Sequence, residues 1–495
     1  MTAQTSKIDP RLAFASATEL VARLARREFS AREWLEFQIA RIEHVNGAVN
    51  AIILTDLAAA RARADEADRA TANGESWGPL HGLPITVKES NNVAGWPTTY
   101  GDPALKDAIP TRNAVIIDRL LAAGAIIIGK TNVPLNLIDW QSHNAIYGTT
   151  RNPWDLERSP GGSSGGASAA LAAGLTALEL GSDIGGSIRI PAHFCGVFGH
   201  RPTPGIVPAL DNERADTLID NDLVTSGPLA RSVADLSLAL DIIAGPAGDA
   251  AQGWRLDLPP PRATQLKDLR ISVVTDSPVA EVDEPYRAAI RVLAARLRDD
   301  GATIVDEQLP FSDHAAHHAT YVQLLRGSST VRLPEAAFRE AIERSESPDT
   351  NITPYVRQMS YAYAQRHRDW ILAEERRAHL RQDWARFFEH VDVVIAPASV
   401  SAAFPLDQAR SREERVLHIN GHDVDYNDQL FWAGLATLPS LPSTAVPIGF
   451  VDGLPIGVQI IGPHLHDRLT LAVAAELEKL HPFVAPPLDI EREWA

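Results

Sequence analysis

The stretch GGSSGGASAALAAGLTALELGSDIGGSIR, residues 161–189, decides the fold of this chain. A glycine-serine loop opens it and leads into an apolar, alanine-rich segment, which is predicted to form a helix packed inside the protein. Glycine-serine runs alone are typical of flexible linkers. A loop that leads into the N-terminus of a buried helix is better placed to hold a hydroxyl or an anion. We therefore interpret this stretch as the centre of a functional core.

Short β-branched runs alternate with helical segments on both sides of this stretch. The runs are ITV at 85–87, AIII at 125–128 and RISVV at 270–274. This alternation is typical of a sheet whose two faces are covered by helices. The sequence therefore predicts an α/β fold.

The chain divides into two predicted units. Residues 1–70 contain two S-x-x-E patterns, beginning at Ser16 and Ser30, which are typical of helix N-termini and predict helices packed on the core. Residues 71–485 are expected to form a single domain. Within it, residues 313–390 are richer in charge and are predicted to be helical, either as a substrate-covering region or as a solvated helical layer.

The composition excludes several classes of protein. Of the 495 residues, 45% are hydrophobic and 22% are charged, which is ordinary for a globular protein and unlike a disordered one. The net charge of −17 gives no attraction to nucleic acid or to anionic lipid. The first residues lack a secretory signal pattern, and no run approaches about 18 apolar residues. We expect a cytoplasmic protein that binds neither nucleic acid nor membranes.

The single cysteine, Cys195, limits the chemistry further. One thiol cannot form an internal disulfide, and it cannot provide the thiolate cluster that holds zinc or an iron–sulfur centre. Within HFCGVFG, Cys195 is expected to be a small buried apolar side chain, with a nucleophilic role as the alternative. No metal and no cofactor are predicted.

The segment GAIIIGKT, Gly124–Thr131, matches the phosphate-binding pattern G-x-x-x-x-G-K-[ST]. A phosphate site needs a flexible turn whose backbone N–H groups curl around the anion. Three consecutive isoleucines favour a buried strand instead. We therefore reject the match, and ATP binding that depends on Lys130 stays as a competing hypothesis.

The segment GSSGG, Gly162–Gly166, matches the nucleophile-elbow pattern G-x-S-x-G with Ser164 at its centre. An elbow follows a buried strand, whereas the preceding residues WDLERSPGG are polar and interrupted by proline. The 16 histidines of the chain still leave a partner available. A Ser-His-Asp α/β-hydrolase that uses Ser164 is therefore a minor alternative.

Four longer segments agree with one known family. They are His81–Gly101, Asn152–Gly174, Leu180–Gly205 and Gly449–Pro463. Their sequences and their order resemble the amidase signature family, and the resemblance extends over most of the chain. It implies the fold of that family, with a large, mixed and twisted central sheet covered by helices on both faces. It also implies an amidohydrolase that needs no cofactor.

The resemblance assigns three catalytic residues. Lys88 corresponds to the family's base, Ser163 to its bridging serine with a cis peptide, and Ser187 to its nucleophile. A serine needs a neighbour that takes its proton during attack, and an amine can do so only when it is neutral. Lys88 follows the β-branched run at 85–87, which would bury the amine and lower its pKa. Ser164 is a supporting residue in this assignment.

The SDIGGS segment predicts an oxyanion hole. Its glycines permit a tight turn in which successive backbone N–H groups face one point. The expected donors are the N–H groups of Ile184, Gly185, Gly186 and Ser187. Asp183 and Arg189 flank the turn and are expected to support its shape.

The resemblance also predicts that the residues after the K-T-N motif line the acyl pocket. Leu135 occupies a position where many relatives have an acidic or amide residue. Leu137 and Ile138 would form an apolar wall beside Asp139, unless they are simply core residues. We expect a small, uncharged amide with an aryl or alkyl acyl group. An ester or a carbamate is also compatible with an acyl-serine mechanism.

Two other roles stay open. Some relatives are the A-type subunit of a glutamine-dependent tRNA amidotransferase, which needs partner subunits and a pocket that recognises a carboxylate. The predicted loop is less polar than such a pocket, which favours a stand-alone hydrolase. The other role is a non-catalytic subunit that docks a partner through residues 313–390. The assembly state is open, with a homodimer as one alternative.

Overall fold

The computed structural model describes residues 8–209, 221–347 and 352–488. It has the mixed α/β architecture that the sequence predicts. Parts of the predicted units 1–70, 71–485 and 313–390 lie outside the described residues. No helix in the described ranges combines the length and the apolarity needed to cross a bilayer.

Helices and strands alternate along most of the described chain. The helices are α1 (Ala17–Ala25), α2 (Ala31–Val49), α3 (Leu57–Ala72), α4 (Val115–Ala122), α5 (Gly165–Ala172), α6 (Arg189–Cys195), α7 (Val233–Ile243), α8 (Ala250–Gly253), α9 (Glu284–Asp299), α10 (His314–Gly327), α11 (Glu335–Glu346), α12 (Pro354–Ala364), α13 (His367–Phe387), α14 (Leu430–Thr437) and α15 (Asp467–Leu480). The strands are β1 (Ile52–Thr55), β2 (Pro84–Lys88), β3 (Ile126–Thr131), β4 (His143–Asn144), β5 (Gly148–Thr149), β6 (Leu178–Asp183), β7 (Phe198–Arg201), β8 (Thr225–Ala230), β9 (Arg270–Val273), β10 (Thr303–Val305), β11 (Val393–Pro397), β12 (Val416–Ile419), β13 (His422–Asp425), β14 (Ser443–Val451) and β15 (Leu454–Ile461).

An eight-stranded mixed sheet forms the centre of the fold, as predicted. Its strand order is β10-β9-β11-β15-β14-β7-β8-β6. The pairs β10–β9 and β9–β11 are parallel, and the other pairs are antiparallel. Helices α6, α7, α9 and α15 pack against this sheet. Strands β11 and β15 are buried along their whole length, which explains their nearly continuous apolar sequences.

A separate three-stranded sheet, in the order β1-β3-β2, contains Lys88. The sequence pattern does not distinguish this sheet from the central one, because both contain short β-branched runs. Strands β2 and β3 are parallel, and their register places Lys88 beside Thr131. Strand β2 also packs against β6 of the central sheet. The small sheet therefore brings Lys88 to the edge of the large one.

Strand β3 contains most of the segment that matches the phosphate-binding pattern. All six of its residues, Ile126–Thr131, are buried, so the predicted buried strand is confirmed. The strand pairs with β1 on one side and with β2 on the other. A backbone held in two ladders cannot curl around a phosphate.

Helices α1, α2 and α3 form most of the N-terminal part. Ser30 and Glu33 make a complete capping box at the start of α2. At the start of α1, Ser16 accepts the N–H of Glu19, but the Glu19 carboxylate binds Arg23. Strand β1 lies between α2 and α3 and pairs with β3, so this part contributes a strand as well as helices.

Within the described residues of 313–390, the helices are α10, α11, α12 and α13. Helix α10 packs against α12, α13 and α14. The Tyr321 hydroxyl on α10 donates to the Ile184 carbonyl at 2.6 Å. Arg377 on α13 donates to the Leu438 carbonyl at 2.8 Å. The helical layer therefore reaches the SDIGGS segment directly.

Candidate active site

Lys88 lies at the end of β2, inside the protein. All five residues of β2 are buried, and Lys88 is 0% exposed. Its Nζ atom lies 2.7 Å from Ser163 Oγ and 3.0 Å from Ser182 Oγ. A hydroxyl group both donates and accepts, so either contact can reverse its direction when the amine is neutral. The strand therefore places the amine against two serine hydroxyls.

Burial dominates the electrostatics of Lys88. Removing the ammonium group from water lowers the pKa of Lys88 from 10.5 to about 7. The carboxyl groups of Asp183, Glu179 and Glu89 oppose this effect and raise the pKa. The result is an amine that is mostly neutral above pH 7 and is able to accept a proton.

The loop before α5 presents Ser163 to Lys88. The peptide bond between Gly162 and Ser163 is cis, as the family resemblance implies. The Ser164 N–H donates to the Ser187 carbonyl at 3.1 Å, which fixes this loop to the SDIGGS turn. Ser163 and Ser187 line the same cavity and are 2% and 6% exposed. The three residues predicted to be catalytic therefore meet at one site.

Asp183 and Arg189 hold the SDIGGS turn in shape. Asp183 Oδ1 accepts the N–H of Gly186 at 3.0 Å, and Oδ2 accepts the N–H of Ile188 at 3.0 Å. Arg189 Nη2 and Nε donate to the same carboxylate at 2.9 and 3.0 Å. Burial alone would raise the pKa of Asp183, but the charges of Arg189 and Arg201 and these hydrogen bonds keep that pKa well below its ordinary value. Asp183 is therefore a permanent anion that organises the turn.

Two aromatic side chains hold the carbonyl groups of the turn. Trp140 Nε1 donates to the Gly185 carbonyl at 2.9 Å, and the Tyr321 hydroxyl donates to the Ile184 carbonyl at 2.6 Å. Gly186 has a φ of 86°, in the left-handed region that favours glycine. The orientation of these peptide groups is therefore set before substrate binds.

One of the four predicted oxyanion donors is already engaged. The Gly186 N–H is the group that donates to Asp183 Oδ1. The predicted donors that remain are the backbone N–H groups of Ile184, Gly185 and Ser187. Sequence reasoning did not separate these two sets, although the contact spans only three residues and an aspartate that accepts a nearby backbone N–H is a common local motif.

A cavity of about 190 Å³ lies beside the two serines. Leu137, Ile138 and Asp139, which were predicted to bind substrate, all line it. Leu325 and Leu430 add apolar surface from the helical layer and from α14. None of the lining residues within the described ranges is a histidine. The cavity therefore combines an apolar wall with the serine hydroxyls.

Asp139 is engaged by the protein itself. Its Oδ2 accepts from Arg415 at 2.5 Å, and its Oδ1 accepts from the Tyr426 hydroxyl at 2.8 Å and from the Trp140 N–H at 2.7 Å. The side chain is 16% exposed, and the Arg415 guanidinium balances its charge. Asp139 therefore shapes the pocket wall and does not present an unpaired anion to a substrate.

Arg412 is a cavity residue that the sequence patterns missed. Its guanidinium lies 4.4 Å over the Trp140 ring. It donates to the Ile138 carbonyl and to Asn427 Oδ1, both at 2.8 Å. The contact with Ile138 joins residues 274 positions apart, so no local pattern signals it.

Ser182 is a second residue that sequence reasoning missed. Its hydroxyl is the other partner of Lys88 Nζ, at 3.0 Å. A signal for it was present, because Ser182 is the first residue of the SDIGGS segment. The motif therefore contains two serines that line the cavity, at its first and last positions.

The other serine and the cysteine of this region have packing contacts. Ser164 is fully buried, does not line the cavity, and donates through Oγ to the Ser182 carbonyl at 3.4 Å. Cys195 is buried as predicted, donates to the Pro160 carbonyl at 3.4 Å, and has a pKa raised by burial well above 9.0. Within the described ranges, no group of three or more His, Cys, Asp or Glu side chains is arranged to hold a metal ion.

Known proteins resemble this chain over nearly its whole length. An amidase family model matches residues 33–471. The chain is 34% identical to an acylamidase of Rhodococcus erythropolis, over 96% of this chain and 97% of the relative. It is 31% identical to the A-type subunit of the glutamyl-tRNA(Gln) amidotransferase of Thermoanaerobacter pseudethanolicus, over 95% and 97%. The crystal structure of a bacterial aryl acylamidase of the amidase signature enzymes matches with a TM-score of 0.81 at 26% identity, over 95% of this chain and 97% of that one.

These matches, with the fold, define an amide-cleaving hydrolase. The chain belongs to the amidase signature family, as its motifs predicted.

Proposed function

We propose that this enzyme hydrolyses small acyl amides through an acyl-serine intermediate, with Lys88, Ser163 and Ser187 as its catalytic residues. The contact of 2.7 Å between Lys88 Nζ and Ser163 Oγ, made by a lysine with 0% exposure, is the observation that supports this most directly. A neutral amine beside a hydroxyl is a general base, whereas an exposed lysine is protonated at neutral pH.

The first step is a proton relay coupled to attack. Lys88 takes the proton of Ser163 while Ser163 takes the proton of Ser187. Ser187 Oγ forms a bond to the carbonyl carbon of the amide, and the carbonyl π electrons move to the oxygen. The tetrahedral intermediate has one negative charge, which the Lys88 ammonium balances.

Collapse of the intermediate breaks the C–N bond. The proton on Lys88 returns through Ser163 to the leaving nitrogen, which departs as a neutral amine. Water then attacks the ester that remains on Ser187 and gives its proton to the same relay. The ester C–O bond breaks, Ser187 recovers its proton, and the acid is released.

Backbone N–H groups are the proposed stabilisers of the negative oxygen. The donors are those of Ile184, Gly185 and Ser187, in the turn that Asp183 and Arg189 support. A preorganised donor of this kind typically contributes about 3 kcal/mol to the stability of the transition state. Trp140 and Tyr321 donate hydrogen bonds to carbonyl groups of the same turn, so its peptide groups need little reorientation during the reaction.

The proposed substrate is an uncharged amide with an aryl or alkyl acyl group. Leu137 and Ile138 provide an apolar wall, and Arg415 balances the charge of Asp139. Relatives named acylamidase and aryl acylamidase support this class. Esters and carbamates of the same acyl group fit the mechanism too, because acyl transfer to serine does not by itself distinguish the leaving group.

Glutamine hydrolysis, as the A-type subunit of an amidotransferase, is a second candidate function. A relative named as such a subunit is 31% identical over 95% of this chain. Arg326, Arg332 and Arg412 line the cavity, which favours a substrate with a carboxylate. The chain alone, as a monomer or a homodimer, should hydrolyse neutral anilides faster than glutamine if the first proposal is right. Faster release of ammonia from glutamine would favour the second.

Labelling with a fluorophosphonate, followed by intact mass measurement, tests the nucleophile. We expect one label on the wild type and on Ser168→Ala, which removes a buried hydroxyl of α5 that does not line the cavity. No label is expected on Ser187→Ala. Labelling that survives Ser187→Ala but is lost in Ser164→Ala would favour the nucleophile-elbow alternative instead.

A panel of primary amides, anilides, esters and carbamates with one shared acyl group tests the bond that is cleaved. The proposal expects turnover of the amides and anilides, with carboxylic acid and amine formed in equal amounts. Turnover of the ester alone would contradict it.

A further inference from the structure

Glu179 is a buried carboxyl group that the proposed mechanism does not use. It lies on β6, is 1% exposed and does not line the cavity. It therefore cannot touch a substrate. It nevertheless interacts electrostatically with Lys88, which packs against the same strand.

The surroundings of Glu179 supply few hydrogen-bond donors. Its Oε2 accepts the Leu180 N–H at 2.9 Å. The hydroxyls of Thr86 and Thr131 act on the carboxyl, but in the described part of the chain neither hydroxyl nor Glu179 Oε1 makes a well-oriented hydrogen bond. Such a site favours a protonated carboxyl, because a buried carboxylate needs several donors.

The small sheet places this carboxyl close to the proposed base. Thr86 precedes Lys88 by two positions on β2, so both side chains lie on the same face of that strand. Thr131 is the partner of Lys88 in the register of β2 and β3. The two threonines that act on the Glu179 carboxyl therefore flank the amine, one on the same strand as Lys88 and the other on the neighbouring strand.

The other carboxyl groups that act on Lys88 have strong partners. Asp183 is paired with Arg189 at 2.9 Å. Glu89 accepts hydrogen bonds from the backbone N–H groups of Thr99 and Tyr100. Glu179 has one backbone donor, and the nearby hydroxyls of Thr86 and Thr131 make no well-oriented hydrogen bond in the described part of the chain. Burial raises the pKa of Glu179 to about 8, near that of Lys88.

We propose that Glu179 is a positioning residue that sets the protonation state of Lys88, with the two side chains sharing one proton. In one form the proton is on the Glu179 carboxyl and Lys88 is a free base. In the other, Glu179 is a carboxylate and Lys88 is an ammonium ion that cannot accept a proton. The dry site around Glu179 favours the first form, which is the active one. This inference rests on the proposed function, because it needs Lys88 to be the base.

The pH dependence of kcat/KM for the anilide, measured with Glu179→Gln, tests the inference. Glutamine has the size of glutamate and cannot ionise. The ion-pair form is no longer available in this variant. The acidic limb of the profile, where kcat/KM falls with decreasing pH, should therefore move to lower pH by at least about half a unit. At pH 6 this is a gain of about threefold in kcat/KM relative to the plateau. The rate on the alkaline plateau should stay within about threefold of the wild type.

A purely structural role would lower kcat at every pH and leave the acidic limb in place. That outcome, or a shift of the limb to higher pH, overturns the proposal. If Glu179→Gln does not fold, Thr131→Val gives the same test. It removes a hydroxyl that stabilises the carboxylate, so the limb should move in the same direction by a smaller amount, and an unmoved limb rejects the idea. Thr303→Val, an exposed position on β10, is the matched control and should leave the limb unchanged.

Fluorophosphonate labelling of the same preparations separates the two proposals. Labelling that is lost in Ser187→Ala, together with an unshifted limb in Glu179→Gln, rejects the role of Glu179 alone. Labelling that persists in Ser187→Ala rejects the proposed function, and the inference falls with it.

Discussion

Two neighbouring strands, β2 and β3, each place a buried lysine near their ends, and the two lysines differ in their partners. Lys88 Nζ contacts the hydroxyls of Ser163 and Ser182. Lys130 Nζ donates to the Pro97 carbonyl at 2.7 Å and to Thr98 Oγ1 at 2.8 Å. Burial lowers both pKa values, to about 7 for Lys88 and to about 8 for Lys130.

Burial lowers the pKa of both lysines, so the partners of each amine are what suit it, or do not suit it, to the proposed role of base. A carbonyl oxygen only accepts hydrogen bonds, so Lys130 is held as a donor to Pro97. Neither lysine lines the cavity, so the two differ in the groups that they contact. Lys130 fixes the loop that leads to Tyr100, which does line the cavity. Lys88 faces hydroxyls that are able to give up a proton, and both of these serines line the cavity with Ser187.

The largest expected effect is the loss of activity in Lys88→Ala. Removal of the general base should lower kcat/KM for a chromogenic anilide by about 10³-fold or more, since proton transfer typically contributes 10²–10⁴-fold. Circular dichroism shows whether the variant is folded. A folded Lys88→Ala enzyme with more than a tenth of the wild-type rate would show that Lys88 is not the base, and the two lysines would then no longer differ in role.

The next effect is the pH dependence of the wild type. Lys88 is the base only when neutral, so kcat/KM should fall as the pH decreases through about 7, with a slope approaching tenfold per pH unit. Between pH 8 and pH 5 the loss should be about 100-fold. A rate that is flat down to pH 5 would mean that no group with this pKa is the base.

A third prediction concerns stability. The pKa of Lys88 falls from 10.5 to about 7 on folding, so the unfolded chain binds more protons between these values and stability should rise with pH across that window. The penalty is complete well below pH 7, where it is about 5 kcal/mol, is about 4 kcal/mol at pH 7, and disappears above pH 10.5. Lys88→Met removes the penalty but loses two hydrogen bonds, so it should be about 2 kcal/mol more stable at pH 7.

Urea unfolding of Lys88→Met at pH 7 and at pH 10 measures this difference. The gain should shrink at the higher pH. If Lys88→Met is less stable than the wild type at pH 7, folding does not lower the pKa of Lys88 as expected.

The smallest expected effect is that of Lys130→Met. Because Lys130 acts by holding the Pro97–Thr98 loop, kcat/KM should fall by less than about tenfold, and mainly through KM. The acidic limb of the pH profile should stay in place. Equilibrium dialysis should detect no ATP binding to the wild type, and binding that depends on Lys130 would restore the rejected phosphate-binding hypothesis.

The alternation of strands and helices predicts the fold class, and the family resemblance predicts the meeting of Lys88, Ser163 and Ser187, because each of these residues lies in a segment that resembles the family. The partners that arrive from distant parts of the chain have no such pattern. Tyr321 reaches the turn from a helix 137 positions away, and Arg412 reaches Ile138 across 274 positions.

The same limit applies to the details of the pocket. Asp139 was predicted to face substrate, and it does line the cavity, but its charge is balanced by Arg415 from another loop. The division of the strands into two sheets was not predictable either. Pairing partners in a sheet are set by tertiary packing, and the runs in β2 and β9 have similar β-branched character.

The contact between Tyr321 and the Ile184 carbonyl has a further electronic consequence. A peptide group is a conjugated unit, so a donor at its oxygen withdraws electron density from its nitrogen and makes the N–H more acidic, with a cooperative strengthening of about 10–30% per bond. The nitrogen conjugated to the Ile184 carbonyl is that of Gly185, one of the proposed oxyanion donors. Tyr321 lies on the helical layer and does not line the cavity. It nevertheless strengthens the Gly185 N–H as a hydrogen-bond donor, and Gly185 does line the cavity.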